Sequence, residues 1–325
     1  MKKKFYKTYE FLLFVLLIAL YLVIGFINPA FFSVGTVFDA LRIQEVFLIL
    51  ALGLLPVVIL GGVDISYVAI AAATTFPIHM WLLETSYNGG IWGYYVLSTG
   101  MGVIIGLFIG WLIHTFKINI FDLSLGMNTL LYGWVTFFIG SLTNFDFDTV
   151  GLAYWNQKFI FSVDSVVGTT GLHVSILYIL IIGILLHLFL NYTTLGRGIY
   201  AIGSDKSVAI RTGFNVRRIY LVVFAIMGGL SGFAGITYAG LNAYFPPVML
   251  IGKNMQVLAA VVLGGASTTG GRGSVIGTIM GTILIGLINQ ALVYVGVSTQ
   301  WYDAVIGALF VLYATFQSIT TRSRE

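Results

Sequence analysis

NYTTLGRGIYAIGSDKSVAIRTGFNVRR, residues 191–218, is the longest strongly basic segment in an otherwise apolar chain. It sets Arg197, Lys206, Arg211, Arg217 and Arg218 against a single acid, Asp205. One hydrophobic run, 174–190, ends just before it, and another, 219–240, starts just after it. Lys and Arg resist translocation, so a basic loop between two such runs stays in the cytoplasm. Within the loop, Ser207-Val-Ala-Ile-Arg-Thr212 has the make-up of a short helix, stopped by Gly213 at its C-terminal side. A short cytoplasmic helix between membrane spans is a docking element, on which something at the inner face pushes. The fold class that follows is an all-α, polytopic membrane protein.

Composition agrees. Of 325 residues, 58% are hydrophobic and 9% charged, with a mean hydropathy of +0.98. A soluble domain carries about 25% charged residues. The chain has no cysteine, hence no disulfide framework and no thiolate metal site. The net charge of +4 is scattered over the ends of apolar runs, where it orients the chain and gives no sign of nucleic-acid binding. The start, MKKKFYKTYE followed by the apolar run 11–27, imitates a signal peptide. Its apolar part is long for an h-region and no small-x-small cleavage site follows, so a retained first span with its basic end inside is expected.

Taking about 20 apolar residues per span, about ten spans are expected: 11–27, 44–60, 67–83, 91–113, 120–141, 173–190, 219–240, 254–265, 275–296 and 301–318. The second and eighth are short or interrupted. An even count puts both termini in the cytoplasm. The inside set of cations is then Lys2, Lys3, Lys4, Lys7, Lys117, Arg197, Lys206, Arg211, Arg217, Arg218, Arg272, Arg322 and Arg324. The outside set is Arg42, Lys158 and Lys253, a split in the direction that the positive-inside rule requires. Loop 142–172, with Asp146, Asp148 and Asp164, falls outside. It either meets a partner on the outer face or only connects spans. Residues 1–325 form one transmembrane domain, with no room for a soluble catalytic domain.

Glycines recur four apart at Gly102, Gly106 and Gly110, at Gly228 and Gly232, and at Gly273, Gly277 and Gly281. In lipid, close backbone contact through small residues replaces the hydrophobic drive between helices. The stripes are expected to pack the bundle internally, with a dimer face as the alternative.

Two stretches read as broken helices. In Val57-Val-Ile-Leu-Gly-Gly-Val-Asp-Ile-Ser66, Gly61 and Gly62 interrupt an apolar run, with Pro56 upstream. Val261-Val-Leu-Gly-Gly265 repeats the pattern, with Gly264 and Gly265 followed by Ser267-Thr-Thr-Gly-Gly-Arg-Gly-Ser274. Irregular backbone at membrane depth is tolerated only where it is buried in protein or lines a water-filled cavity. A polar path between two halves follows. Asp64 lies at such a break, and a charge there costs about 2.5–3.5 kcal/mol on insertion scales, so it needs a partner. It either caps the third span or touches the transported solute; Ser66 stands beside it. Asn128, Gln256, Asn289 and Gln290 are further polar residues inside spans, with Tyr132 and Trp134 nearby. Amides match hydroxyls and rings cover the C–H face of a sugar, so as a set they suit the lining of a path; singly, each serves as interhelical glue.

No phosphate-binding G-x4-G-K-[ST] loop, no H-E-x-x-H spacing and no G-x-S-x-G elbow occurs. His79, His114, His173 and His187 stand singly near span ends. No catalytic residue, metal ligand or proton relay is singled out.

Three motifs now carry a resemblance. Gly61-Gly-Val-Asp-Ile-Ser66 resembles the GG-[IV]-D-[IL]-S motif of sugar-importer permeases. Leu195-Gly-Arg-Gly-Ile-Tyr-Ala-Ile-Gly203 with Ala209-Ile-Arg-Thr-Gly213 resembles that family's cytoplasmic loop. Val262-Leu-Gly-Gly-Ala-Ser-Thr-Thr-Gly-Gly-Arg-Gly-Ser-Val-Ile-Gly277 resembles its glycine-rich block. Departures stand at Asp205-Lys206, Val208, Phe214 and Tyr67-Val68. The family is the membrane-spanning subunit of bacterial ABC importers of the ribose and autoinducer-2 type.

The resemblance implies a multi-pass permease of the bacterial plasma (inner) membrane, forming the path for a sugar or sugar-like solute. It implies a second permease copy, identical or not, a cytoplasmic ATP-binding subunit and an extracytoplasmic solute-binding protein. ATP would be bound by the partner subunit, and the permease itself would hold no cofactor. The ATPase would dock on Gly203, Ser204, Asp205, Lys206, Ala209, Arg211 and Gly213. The rivals are a branched-chain amino-acid permease of related architecture and an ion-coupled secondary transporter, for which Asp64 is the one strong acid. An intramembrane enzyme lacks a recognisable nucleophile, base or metal set.

Overall fold

In a computed structural model of the protein, the described residues are 9–85, 87, 89–139, 155, 156, 158–165, 168–242, 250, 252–298, 301–308, 311 and 315. In chain order the helices are α1 Tyr9–Ile27, α2 Val34–Ile59, α3 Tyr67–Glu84, α4 Ile91–Phe116, α5 Ile120–Ile139, α6 Ser175–Tyr192, α7 Thr194–Ser204, α8 Lys206–Arg211, α9 Val216–Asn242, α10 Asn254–Leu263 and α11 Val275–Tyr294. A 3-10 turn, Pro29–Phe32, links α1 to α2. Among the described residues, six helices are long and apolar enough to cross a membrane: α1 from Glu10, α2, α4, α6, α9 and α11. Tyr67–Leu82 and α10 are shorter apolar helices. The α-helical, polytopic class therefore holds, while 1–8 and 316–325, the charged ends, lie outside the described residues.

α2 corrects the expected second span. It is an unbroken 26-residue helix that carries Pro56 inside its last turn, and it is neither short nor interrupted. Asp39, Arg42 and Glu45 dilute its hydropathy at the start, which hid its first turns. Glu45 is buried and Asp39 and Arg42 are half-buried, because α2 is the central helix: 83% of its most apolar window is buried, against 17% for the peripheral α1. α9, α11, α6 and α10 pack around it. α1 is fastened to α11 at both ends, by Ser274 Oγ donating to Glu10 at 3.2 Å and by Asn28 Nδ2 donating to the Tyr294 carbonyl at 3.2 Å.

The glycine stripes pack the bundle internally. A methyl group on Gly102 would collide with the Gly228 carbonyl, and one on Gly106 with the Phe224 carbonyl, so α4 and α9 touch backbone to backbone. Gly277 and Gly281 of α11 meet Gly264 and the Ala260 carbonyl in the same way. α10 spans 10 residues, about 15 Å at 1.5 Å per residue, half of a hydrocarbon core of about 30 Å.

The charges sort to two ends. His114 near the end of α4 packs on Tyr220 and feels Lys206 and Arg217, placing them beside α7 and α8. At the other end, Arg42 and Lys253 line one cavity of about 310 Å³. Lys158 lies over the Trp155 ring. The connection between α5 and α6 holds an antiparallel hairpin, β1 Phe159–Ser165 paired with β2 Gly168–His173, with a bulge between Phe159 and Phe161. No secondary structure is assigned to this loop from the sequence alone; Asp146 and Asp148 lie outside the described residues.

Candidate functional site

The basic segment 191–218 forms two short capped helices. Thr193 accepts the Gly196 N–H at 3.0 Å and starts α7. Asp205 starts α8, accepting the N–H of Ser207 at 2.8 Å and of Val208 at 3.1 Å, and the Ser207 hydroxyl at 2.6 Å. These caps use donors that a helix start leaves free. Gly213, at φ +87, ends α8: its N–H reaches the Ile210 carbonyl, and Phe214 N–H reaches back to Ala209 at 3.1 Å. Ala209 is buried beneath the helix, while Ser204, Asp205, Lys206, Arg211 and Gly213 are exposed. Val208 and Ile210 stand 51% and 55% exposed among these charges, an amphipathic surface suited to a protein partner. Lys206 Nζ lies 5.2 Å from the Tyr220 ring centroid. Phe214 packs beside Gly198.

The Asp205 carboxyl is held below the usual carboxylate range, first by the Ser207 hydroxyl, then by the Val208 and Ser207 N–H groups. A lowered folded-state value means that the cap is fully effective above the ordinary carboxylate pKa and is lost as pH falls through the folded value. At neutral pH, Asp205→Ala should speed hydrogen exchange at the Ser207 and Val208 amides several-fold, while Asp205→Asn, still a capping acceptor, should stay near wild type. Equal exchange in all three would contradict the capping role.

At the first break, Gly61 (φ +90) ends α2 and residues 62–66 run irregularly to α3. Gly265, also at φ +90, occupies the equivalent place after α10, so the repeated Gly-Gly pattern gives the same turn twice. Asp64 is fully buried; its Oδ1 accepts the Ser66 N–H at 2.6 Å and the Ser66 hydroxyl at 2.7 Å. Its Oδ2 meets no hydrogen-bonding partner at normal geometry. Ile65 N–H donates to Ser124 Oγ at 3.2 Å, and its carbonyl accepts from Asn254 Nδ2 at 2.9 Å. Asn254 Nδ2 also lies 3.4 Å from Asn128 Oδ1. Tyr67 donates its hydroxyl to the Asn254 carbonyl at 2.6 Å. The break thus joins α3, α5 and the start of α10 in one cluster of hydroxyls and amides.

Of the six expected path residues, Asp64, Ser66 and Asn128 meet here. Gln256 is buried against Tyr302. Gln290 faces Gln44 across a cavity of about 90 Å³ between α1, α2 and α11. Asn289 neighbours Gln290 on α11 and does not join the cluster. Ser124, Tyr67 and Asn254 were missed; Ser124 sits four residues before Asn128, on the same helix face, which is a readable signal.

A second polar network, also missed, lies at the end of the bundle that carries the hairpin. Glu45 of α2, fully buried, accepts the Ser175 hydroxyl. Ser175 also pairs with His173 Nδ1, and His173 Nε2 meets the Trp155 carbonyl at 2.9 Å. Arg42 donates to the Leu241 carbonyl at 2.9 Å and to Asn156. The hairpin is therefore clamped to α2 and α6, and Arg42 ties α2 to α9.

Residues 36–314 match the family described as the permease component of the branched-chain amino acid transport system. The chain belongs to this permease family. The permease is 30% identical over 302 residues to the ribose import permease of Haemophilus influenzae, covering 93% of this chain and 90% of the relative. It is 28% identical to the galactose/methyl galactoside import permease of Escherichia coli, covering 98% and 97%. It is 27% identical to the D-allose transport system permease of Escherichia coli, covering 92% and 88%. No solved structure matches the permease.

Proposed function

We propose that this permease is the membrane-spanning subunit of a bacterial sugar importer of the ATP-binding-cassette type. A separate cytoplasmic ATPase binds ATP and acts on Ser204 to Gly213. A second permease copy completes the path, and an extracytoplasmic receptor delivers the solute. The observation that carries the solute class is the cluster around the first break. Its side chains are Ser66, Ser124, Asn128, Asn254 and Tyr67, neutral donors and acceptors that match sugar hydroxyls, beside the carboxyl of Asp64. Asp64 matches the ammonium of an amino acid, but none of these side chains is a cation for its carboxylate, which seeks a cation or helix N-termini. The names of the relatives point the same way. The family description favours branched-chain amino acids, so the test must include them. With ATPase and receptor present, labelled ribose, allose or galactose should accumulate and leucine should not compete. Leucine uptake that sugars leave unaffected would reverse the assignment.

A further inference from the structure

The end of α7 touches both helix breaks at once, and it does so through backbone. Gly271 donates its N–H to the Ile59 carbonyl at 2.8 Å, closing the glycine-rich segment after α10 onto the end of α2. Gly203 fills that closure: a methyl group there would meet the Ile59 carbonyl and, at 2.6 Å, the Gly271 nitrogen. A methyl group on Gly270 would sit 2.5 Å from the Gly203 carbonyl and 2.8 Å from the Gly61 Cα. One turn earlier on α7, Tyr200 donates its hydroxyl to the Gly273 carbonyl at 2.9 Å. Segments 59–61, 200–204 and 270–273 therefore meet backbone to backbone at Gly203 and Gly270, with the Tyr200, Ser204 and Ile59 side chains against Gly271 and Gly273.

We infer that this junction is the contact through which motion at the inner face reaches the polar cluster, and that Gly203, Gly270 and Tyr200 are positioning residues for translocation. The inference rests on the reading above, in which an ATPase acts on α7 and α8. A side chain between two elements absorbs displacement by changing rotamer; backbone against backbone passes it on, because packed contacts shift between discrete arrangements and do not deform smoothly. From the junction two routes run to one place. Gly61 leads directly to Asp64, Ile65 and Ser66. Gly264 and Gly265 lead back along α10 to Asn254, whose amide holds the Ile65 carbonyl. A displacement of α7 thus moves both breaks as one body and arrives at the cluster from two sides.

The test uses the full complex of permease, ATPase and receptor in proteoliposomes and reads solute accumulated per ATP hydrolysed. Gly203 is helical, so alanine there fits the backbone and offends only the contact. Gly203→Ala should lower the ratio about tenfold, within the usual span of coupling effects. Gly100→Ala, where a methyl group meets nothing within 4 Å, should leave it unchanged. Tyr200→Phe deletes one hydroxyl and keeps the ring; it should lower the ratio about threefold, and it carries the test if Gly203→Ala does not assemble. A ratio unchanged in Tyr200→Phe, or uptake and hydrolysis falling in step in Gly203→Ala, overturns the junction while leaving the importer reading intact. Absence of ATP-driven uptake in the unsubstituted complex overturns the importer reading and the junction with it.

Discussion

Gly106→Val should strongly destabilise the bundle, whereas Gly100→Ala on the same helix should stabilise it. α4 lies on α9 along Gly102, Gly106 and Gly110, which face the Gly228, Phe224 and Tyr220 carbonyls. A branched side chain at Gly106 cannot be accommodated by rotamer change, because the atom it meets is backbone. The helices must separate, and in lipid no hydrophobic drive restores them. Overpacking at one site costs about 1–3 kcal/mol, occasionally more; here the loss spreads along a whole seam, so the upper end applies. At Gly100 there is open space, and replacing an exposed helical glycine by alanine gains up to about 1 kcal/mol. Thermal denaturation of the detergent-solubilised permease, followed by size exclusion, separates the two. Gly106→Val melting with wild type would contradict the seam.

Asp64→Leu should eliminate uptake and destabilise the protein, while Asp64→Asn should keep most of both. Oδ1 of Asp64 takes the N–H and the hydroxyl of Ser66 in a site closed to water. Leucine leaves two buried donors without an acceptor, at about 1–3 kcal/mol each. Asparagine keeps the acceptor oxygen and loses only the charge. If the carboxylate is a turn-former at the start of α3, uptake in Asp64→Asn stays within about threefold of wild type, less than about 1 kcal/mol. An Asp64→Asn protein that is stable yet transports nothing would show that the charge itself contacts the solute, or an ion moving with it.

Much of this arrangement is legible from the chain alone, for identifiable reasons. Spans announce themselves because lipid admits little but apolar helix. Both breaks were readable because Gly61 and Gly265 occupy a positive-φ turn that few other residues adopt. The capped helix at Asp205 follows from an acid ahead of Ser207 and a glycine behind Thr212. The first turns of α2 were not legible, since hydropathy counts Asp39, Arg42 and Glu45 as solvent-facing when the fold buries Glu45 and half-buries the other two. The hairpin was passed over although Phe159-Ile-Phe-Ser-Val163 is rich in strand formers. Of the expected path residues, Asp64, Ser66 and Asn128 lie together in one cluster. Sequence shows that a residue is polar, but helix rotation and neighbours decide where it points, so Gln256 and Gln290 lie elsewhere while Asn254 and Ser124 join Asp64. The departures from the family pattern have local roles: Tyr67 pins α3 to α10, and Phe214 fills the space beside Gly198.

The most direct measurement is uphill transport in proteoliposomes, with the permease reconstituted alone and with its ATPase and receptor. The permease alone should accumulate no sugar under any proton or sodium gradient, and the complete complex should concentrate it when ATP is supplied and stop when ATP is removed. Accumulation by the permease alone, driven by a cation gradient, would contradict a subunit powered from its inner face.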